Sequence, residues 1–114
     1  MPDDRLAAAR AALHAERERL LAELHEEIEG PGQMTYGSQA AAATHVFEQQ
    51  RDLALRDRAR AHLAAVDVAL ARIEAGTYGR CQRCGREISA ERLEALPWAA
   101  YCIDCQRAVD REGR

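Results

Sequence analysis

The chain has 114 residues, 47% of them hydrophobic, and carries 16 lysines and arginines against 19 aspartates and glutamates, for a formal net charge of −3. This acidic balance argues against a DNA- or RNA-binding protein, because neutralising phosphates requires a positive surface. The N-terminus lacks the order of a signal peptide and no long apolar run is free of charge, so we expect a cytoplasmic protein without a membrane partner.

The first predicted element is an amphipathic helix from Asp3 to Glu29. Its large apolar residues recur every three or four positions, at Leu6, Leu13, Leu20, Leu21, Leu24 and Ile28. Asp3 or Asp4 is predicted to cap the first turn, and Gly30 with the proline after it to end the helix. A tip loop is expected at about residues 30–37.

A second, longer helix is predicted from Gln39 to about Glu74, because neither glycine nor proline interrupts this stretch and Ser38 can cap it. Its apolar spacing is regular late in the helix, at Leu63, Val66, Leu70 and Ile73, and thins toward the loop to Val46, Phe47 and Leu53. Alternating steps of three and four are typical of the seam between two packed helices. We therefore expect residues 1–75 to form an antiparallel coiled-coil hairpin that is tighter at its base than at its tip.

Residues 76–114 are predicted to form a small C-terminal lobe. Three glycines fit a helix C-cap and the two sides of a tight turn: Gly76, Gly79 and Gly85. Ser89 is expected to cap a short helix from Ala90 to Leu96 that Pro97 stops, and a last short helix is expected to start near Cys102. Trp98 is expected to cover the cysteine sulfurs or to pack on the base of the coil, with an exposed docking role as the alternative.

All four cysteines lie in this lobe with the spacing C-x2-C-x17-C-x2-C, as Cys81, Cys84, Cys102 and Cys105. This spacing is typical of four-cysteine zinc sites, because each two-residue gap lets both sulfurs face one ion. Four protein ligands leave no open position for water, which predicts one structural Zn²⁺ that folds the lobe. Two disulfides or redox thiols are the alternatives, which a reducing compartment disfavours. No nucleophile-and-base motif or phosphate-binding loop is recognisable, so we predict that the protein is not an enzyme.

A known family shares the motifs of this lobe. The shared stretches are GTYGRCQRCGREISAERLEALP and YCIDC, preceded by a long helical hairpin in which RDRARAHLA also fits. This pattern resembles the DksA/TraR family of RNA polymerase-binding regulators, from Ser38 to Cys105. The resemblance implies a non-enzymatic bacterial transcription regulator whose coiled coil enters the secondary channel of RNA polymerase, without sequence-specific DNA binding. The alternative is a zinc-stapled coiled-coil module that binds a different protein or a second copy of itself.

The coil tip departs from the family pattern. Family members with strong effects carry acidic residues in a pattern like Asp-x-x-Asp-x-Ala where the second helix starts. Here Ser38 and Ala41 occupy the acidic positions and only Ala43 agrees, so the resemblance implies an atypical, non-acidic tip. The partner-binding residues expected from the resemblance are Ser38, Ala41, Ala43, Arg56, Arg58 and Arg92.

Some family members also bind guanosine tetraphosphate through basic residues at the junction of coil and lobe. Arg58 fits that pattern, but Ala65 and Gln106 stand where lysines are expected. The resemblance therefore does not lead us to expect tight binding of this nucleotide.

Overall fold

The computed structural model describes the backbone of residues 1–29 and 39–113 and the side chains of residues 1–25 and 44–113. Four helices follow one another along the chain: α1 (Asp3–Glu29), α2 (Gln39–Ala75), α3 (Ala90–Ala95) and α4 (Ile103–Glu112). The described backbone contains no β-strand, apart from one isolated antiparallel bridge between Arg80 and Glu87. The predicted mainly α fold, a two-helix hairpin followed by a cysteine-bearing lobe with a short terminal helix, is confirmed.

The start of α1 differs in detail from the prediction. The helix begins at Asp3, so Asp3 and Asp4 lie inside its first turn instead of capping it. The carbonyl of Pro2 accepts hydrogen bonds from the backbone N–H groups of Arg5 and Leu6, at 3.1 and 3.2 Å. The two carboxylates still favour the helix, because negative charge near an N-terminus is attracted by the helix dipole.

The seam between α1 and α2 is the main hydrophobic core of the molecule. Its buried residues are Leu13, Leu20, Leu24, Ala59, Val66, Ala69 and Ile73, with Leu6, Leu63 and Leu70 packed against them. The predicted seam of α2 is therefore confirmed, and two alanines that the prediction did not include belong to it. Leu6, Leu13 and Leu20 are seven residues apart, as are Ala59, Val66 and Ile73, which is the repeat of a coiled coil.

Two ion pairs fix how the helices are aligned. Arg17 Nε lies 2.7 Å from Asp67 Oδ1, and Arg10 Nη2 lies 3.4 Å from Glu74 Oε1. The partners are seven residues apart on each helix and run in opposite directions, so the hairpin is antiparallel with one pair per heptad. Exposed ion pairs of this kind contribute about 0.2–1 kcal/mol each. They therefore select the register more than they stabilise the coil.

Nearer the tip, the predicted continuation of the seam is wrong. Val46, Phe47 and Leu53 are 50%, 72% and 54% exposed and do not belong to the core. Counting back in sevens from the buried Ala59, the line of the seam on α2 passes Asp52, which is exposed, and His45, which is partly buried. The alignment set by the two ion pairs places Leu53 and the residues before it opposite positions beyond Glu29, the last residue of α1, so no described residue of α1 lies beside them.

The lobe begins where α2 ends. Gly76, Gly79 and Gly85 have φ values of 75°, 89° and 77°, so the positive-φ roles predicted for them are confirmed. At Gly79 a Cβ atom would also lie 3.0 Å from Met1 Cε and 3.4 Å from Leu93 Cδ1. This position therefore needs glycine both for its backbone angle and for the close approach of the start of the chain.

The short helix α3 forms as predicted, one residue shorter. Ser89 Oγ accepts a hydrogen bond from the backbone N–H of Arg92 at 3.2 Å, which confirms the cap. Leu96 leaves the helix with φ −134° and ψ 79°. The cause is Pro97, whose ring disfavours helical angles at the residue before it.

Two aromatic residues pack the lobe onto the coil. Tyr78 contacts both the coil core and the small core of the lobe, and its hydroxyl donates to the Pro97 carbonyl at 2.9 Å. Burial raises the pKa of this hydroxyl. Trp98 packs against the coil core, with its ring centroid 4.3 Å from that of His62 and the planes at 70°. Of the two roles predicted for Trp98, the structure shows packing on the coil base.

In the described part of the chain, none of the helices is apolar over a length sufficient to cross a membrane.

Candidate metal centre

The lobe brings the four cysteines together. Their sulfur atoms all lie within 4.8 Å of one another, and the distance from Cys84 Sγ to Cys102 Sγ is 3.8 Å. Four sulfurs about 2.3 Å from a central zinc ion in a tetrahedron lie roughly 3.8 Å apart. All four are free thiols, not disulfides. The donor set and its spacing thus fit one structural zinc ion.

The first cysteine pair sits on a tight backbone turn. The N–H of Cys81 donates to the Arg86 carbonyl at 2.8 Å, and the N–H of Gly85 donates to the Cys81 carbonyl at 3.0 Å. These bonds curl the chain so that Cys81 and Cys84 face the same point. Gln82 N–H donates to the Ala100 carbonyl at 2.8 Å, which holds the turn beside the segment that leads to the second pair.

The second cysteine pair sits at the start of α4. Cys102 is the N-cap residue and Cys105 lies in the first turn. The N–H of Gln106 donates to the Cys102 carbonyl at 2.8 Å. A helix N-terminus carries partial positive charge and stabilises thiolates. At Cys105 this effect is outweighed, first by the hydrogen bond with Cys102 and then by burial, so that its pKa is raised.

The thiols differ in acidity. Burial acts to raise the pKa of Cys81, but hydrogen bonds from the backbone of Cys84, Cys102 and Arg83 outweigh it and lower the pKa to about 6. The pKa of Cys105 is raised to about 12, first by its hydrogen bond with Cys102 and then by burial. A bound zinc ion supplies the positive charge that favours the thiolate form of coordinating thiols.

Only a small apolar core supports the cysteines. Within the described side chains, the buried members of this cluster are Cys81, Ile88 and Leu93, which are 3%, 4% and 6% exposed. Tyr78, Ala99 and Tyr101 pack around them. A core of this size stabilises little by itself, so the lobe depends on the metal.

An ion pair that was not predicted from the sequence joins the first cysteine turn to the end of α4. Arg83 donates to both carboxylate oxygens of Glu112, at 2.6 and 3.1 Å. The hydrogen bonds, and then the charge, of Arg83 lower the pKa of Glu112. This two-point contact joins the first cysteine turn to the last residue of α4. The partners are 29 positions apart in the chain, so no local sequence pattern indicates the pairing.

Arg72 ties the coil to the metal lobe. From the last turn of α2, its Nη2 donates to the carbonyls of Thr77 and Arg80, at 3.0 and 2.8 Å. Arg80 directly precedes Cys81, so the guanidinium holds the backbone that enters the metal site. The sequence signal for this role was weak, since a basic residue in a last helical turn is common.

We expect Arg72→Ala to destabilise the zinc-loaded protein by about 1.5–3 kcal/mol, because a charged donor with two carbonyl partners is lost. Arg72→Lys is the matched control. Lysine keeps the positive charge at the helix end but lacks the planar guanidinium group with its several N–H donors. It should therefore recover only part of the lost stability. Urea unfolding of both variants measures the difference. Equal midpoints for Arg72→Ala and the parent protein would contradict the assigned role.

The partner-binding residues named from the sequence fall in different parts of the structure. Arg92 Nε donates to the Tyr101 carbonyl at 2.9 Å, which ties part of its guanidinium group to the backbone of the lobe. Arg56 is partly buried on α2 and Arg58 is exposed on the same helix. Ser38 lies outside the described residues, and the side chains of Ala41 and Ala43 are likewise outside them.

The two positions considered for nucleotide binding lie on separate elements. Ala65 lines a crevice between α2 and the lobe together with Val68 and Trp98. The Gln106 amide donates to Asp110 Oδ1 at 3.0 Å on α4. Neither supplies the positive charge that binding of a phosphate group requires.

An antiparallel helical hairpin joined to a four-cysteine zinc finger defines the class of protein. The family model described as the prokaryotic dksA/traR C4-type zinc finger matches residues 76–111. The RNA polymerase-binding transcription factor DksA of Caulobacter vibrioides is 32% identical over 116 residues, covering 100% of this chain and 82% of that protein. The chain belongs to the DksA/TraR family of C4-type zinc-finger proteins, as the sequence motifs predicted.

Other comparisons agree with this assignment. The structure of the transcription factor DksA2 from Pseudomonas aeruginosa is similar over 100% of this chain and 90% of that chain, with a TM-score of 0.78 and 30% sequence identity. A protein of Aquifex aeolicus is 54% identical over 52 residues, or 46% of this chain. The chain spans only 36% of the length of that relative.

Proposed function

We propose that this protein is a non-enzymatic regulator of bacterial transcription that binds RNA polymerase in the cytoplasm. The observation that carries the proposal is the similarity over the whole chain to a relative named as an RNA polymerase-binding transcription factor. The metal site supports the non-enzymatic part, since four protein sulfurs leave no position for water or a substrate.

The coiled coil is the part that we propose to insert into the secondary channel of the polymerase, with the zinc lobe remaining outside. The 37 residues of α2 give a rod of about 55 Å at 1.5 Å per residue, long and narrow enough to enter a pore. In this arrangement Cys81, Cys84, Cys102 and Cys105 hold the zinc ion. The proposed polymerase contacts are Ser38, Ala41, Ala43, Arg56, Arg58 and Arg92.

Competition with another secondary-channel protein tests this proposal. The zinc-loaded protein should bind purified polymerase and be displaced by that competitor, and crosslinks from α2 should map to the channel. Crosslinks on another face of the enzyme, or no complex at micromolar concentration, would favour the alternative of a zinc-stapled interaction module. Copurification from native cells would then identify the other partner.

The non-acidic tip predicts a weak effect on initiation. We expect the double variant Ser38→Asp, Ala41→Asp to raise the effect on an unstable promoter complex by roughly tenfold, which corresponds to one new charge-assisted contact of about 1.5 kcal/mol. The lifetime of the promoter complex is the measurement, and polymerase affinity should stay nearly unchanged.

The double variant Glu27→Gln, Glu29→Gln is the control for the tip, because these glutamates could supply charge from the opposing helix. It should change little. A parent protein already as potent as an acidic-tipped relative, together with a loss of that potency in the glutamine variant, would show that the charge has moved across the hairpin.

A further inference from the structure

An exposed apolar surface lies on the tip-proximal part of α2. Val46, Phe47 and Leu53 are 50%, 72% and 54% exposed, and Phe47 is the only phenylalanine of the chain. With the exposed Ala54 they occupy an arc of about 120° on a helix with 3.6 residues per turn. We call these four residues the distal apolar face. Exposed apolar side chains that share one face mark an interaction site more often than scattered ones do.

The distal apolar face is not a misplaced part of the seam with α1. The seam of α2 runs through the buried residues Ala59, Val66 and Ile73. At 100° per residue, that line points nearly opposite to the distal apolar face. Rotating α2 to bury the face against α1 would expose the established core.

Arginines border the distal apolar face. Arg51 and Arg58 flank one side and Arg60 the other, and all three are exposed. Among the ion pairs found for the described side chains, none includes these arginines. Asp57 is the one acidic residue within the arc of the face. The edge of the face is therefore mainly positive, which favours a partner with acidic edges.

The charges also argue against a second copy packed in parallel and against a lipid surface. A parallel copy would place each arginine beside its own counterpart, which like-charge repulsion opposes. A lipid surface that is anionic would attract the arginines, but Asp57 in the middle of the face would enter the headgroup region beside the three large apolar side chains. A protein groove can place a cation against that aspartate.

We propose that the distal apolar face docks into an apolar groove with carboxylates along its edges on the protein that binds this coil. The inference rests on the proposed function, in which that protein is RNA polymerase. Phe47 is the central anchor, since aromatic side chains that become fully buried dominate binding energy in helix-in-groove complexes. Arg51, Arg58 and Arg60 face the carboxylates and speed association.

The double variant Phe47→Ala, Leu53→Ala tests the docking surface. Alanine favours the helix, so helicity and zinc content should equal those of the parent. Polymerase affinity should fall at least tenfold, while Val68→Ala, a change at a 46% exposed position of the same helix, should have little effect. Arg51→Glu with Arg60→Glu should slow association and weaken its dependence on salt. If the double variant does not fold, Phe47→Gln alone should still lower affinity severalfold.

The outcomes separate this inference from the proposed function. A parent protein that does not bind polymerase would refute the proposed function. If the parent binds polymerase and the double variant binds it just as tightly, the proposed function stands and only the docking surface is refuted. Sedimentation showing a dimer that the double variant abolishes, or binding of the parent but not the variant to vesicles of anionic lipid, would also overturn it, because the face would then contact a second copy or a membrane.

Discussion

Replacing Cys81 with serine is expected to remove the zinc ion and unfold the lobe. The binding energy of a structural zinc ion, about 10–16 kcal/mol in isolated zinc fingers, is folding energy for such a domain. Here Cys81 is also 3% exposed and belongs to the small core of the lobe, so its loss removes a metal ligand and a packed side chain together. The zinc content per chain should drop from one to near zero.

The measurements are metal analysis of the purified protein and near-ultraviolet circular dichroism, which reports the packing of Trp98 and the tyrosines. Gln82→Ser is the matched control, because it introduces the same residue at an exposed position of the same turn. It should keep both metal and signal. A folded parent protein with almost no zinc, or a Cys81→Ser variant that keeps metal and stability, would contradict the assignment.

The second large effect is expected in the coil. Leu13 is fully buried against α2, and truncating a buried leucine to alanine costs about 2–5 kcal/mol through lost apolar contact and the cavity left behind. This loss is a large fraction of the free energy of unfolding of a small protein. We expect Leu13→Ala to lower the urea midpoint strongly, as followed by helical circular dichroism at 222 nm.

Leu21→Ala is the control for the coil. Leu21 lies on the same helix but is 40% exposed, so the same chemical change should cost less than about 1 kcal/mol. Similar losses for the two variants would mean that the seam has been assigned to the wrong face of α1. A larger loss for Leu21→Ala would place that face, and not Leu13, against α2.

Several features of the structure are decided by a few neighbouring residues and were predictable from the sequence. The two C-x2-C turns bring sulfurs together because the chain between them is too short to do otherwise. Ser89 caps α3 through a bond to a residue three positions away, and Pro97 ends the same helix through a clash with its direct neighbour. The sequence motifs that indicate the family are also short stretches of neighbouring residues.

The regular base of the coil was also predictable, because Leu63, Val66, Leu70 and Ile73 repeat often enough to define one face. Toward the tip the same reasoning failed at Val46, Phe47 and Leu53. These large apolar residues are exposed, and they lie on α2 beyond the part that the described α1 covers. A period of 3.6 and one of 3.5 diverge by about 20° per heptad, so hydrophobicity alone loses the register where few seam residues are apolar.

Contacts that side chains make with other elements could not be predicted from the sequence, because they depend on how the elements pack. Arg72 meets the carbonyls before the metal site, Arg83 meets Glu112, and the ring of Trp98 meets that of His62. Each contact joins side chains from elements whose relative position is set by packing, and a charged or aromatic residue on a helix has many possible partners before that packing is known. The amino-acid sequence by itself determined the helices, the metal ligands' spacing and the family. The tertiary structure decided which arginines support the lobe and which apolar side chains remain exposed, because rotation and register of the two long helices arise from contacts far apart in the chain.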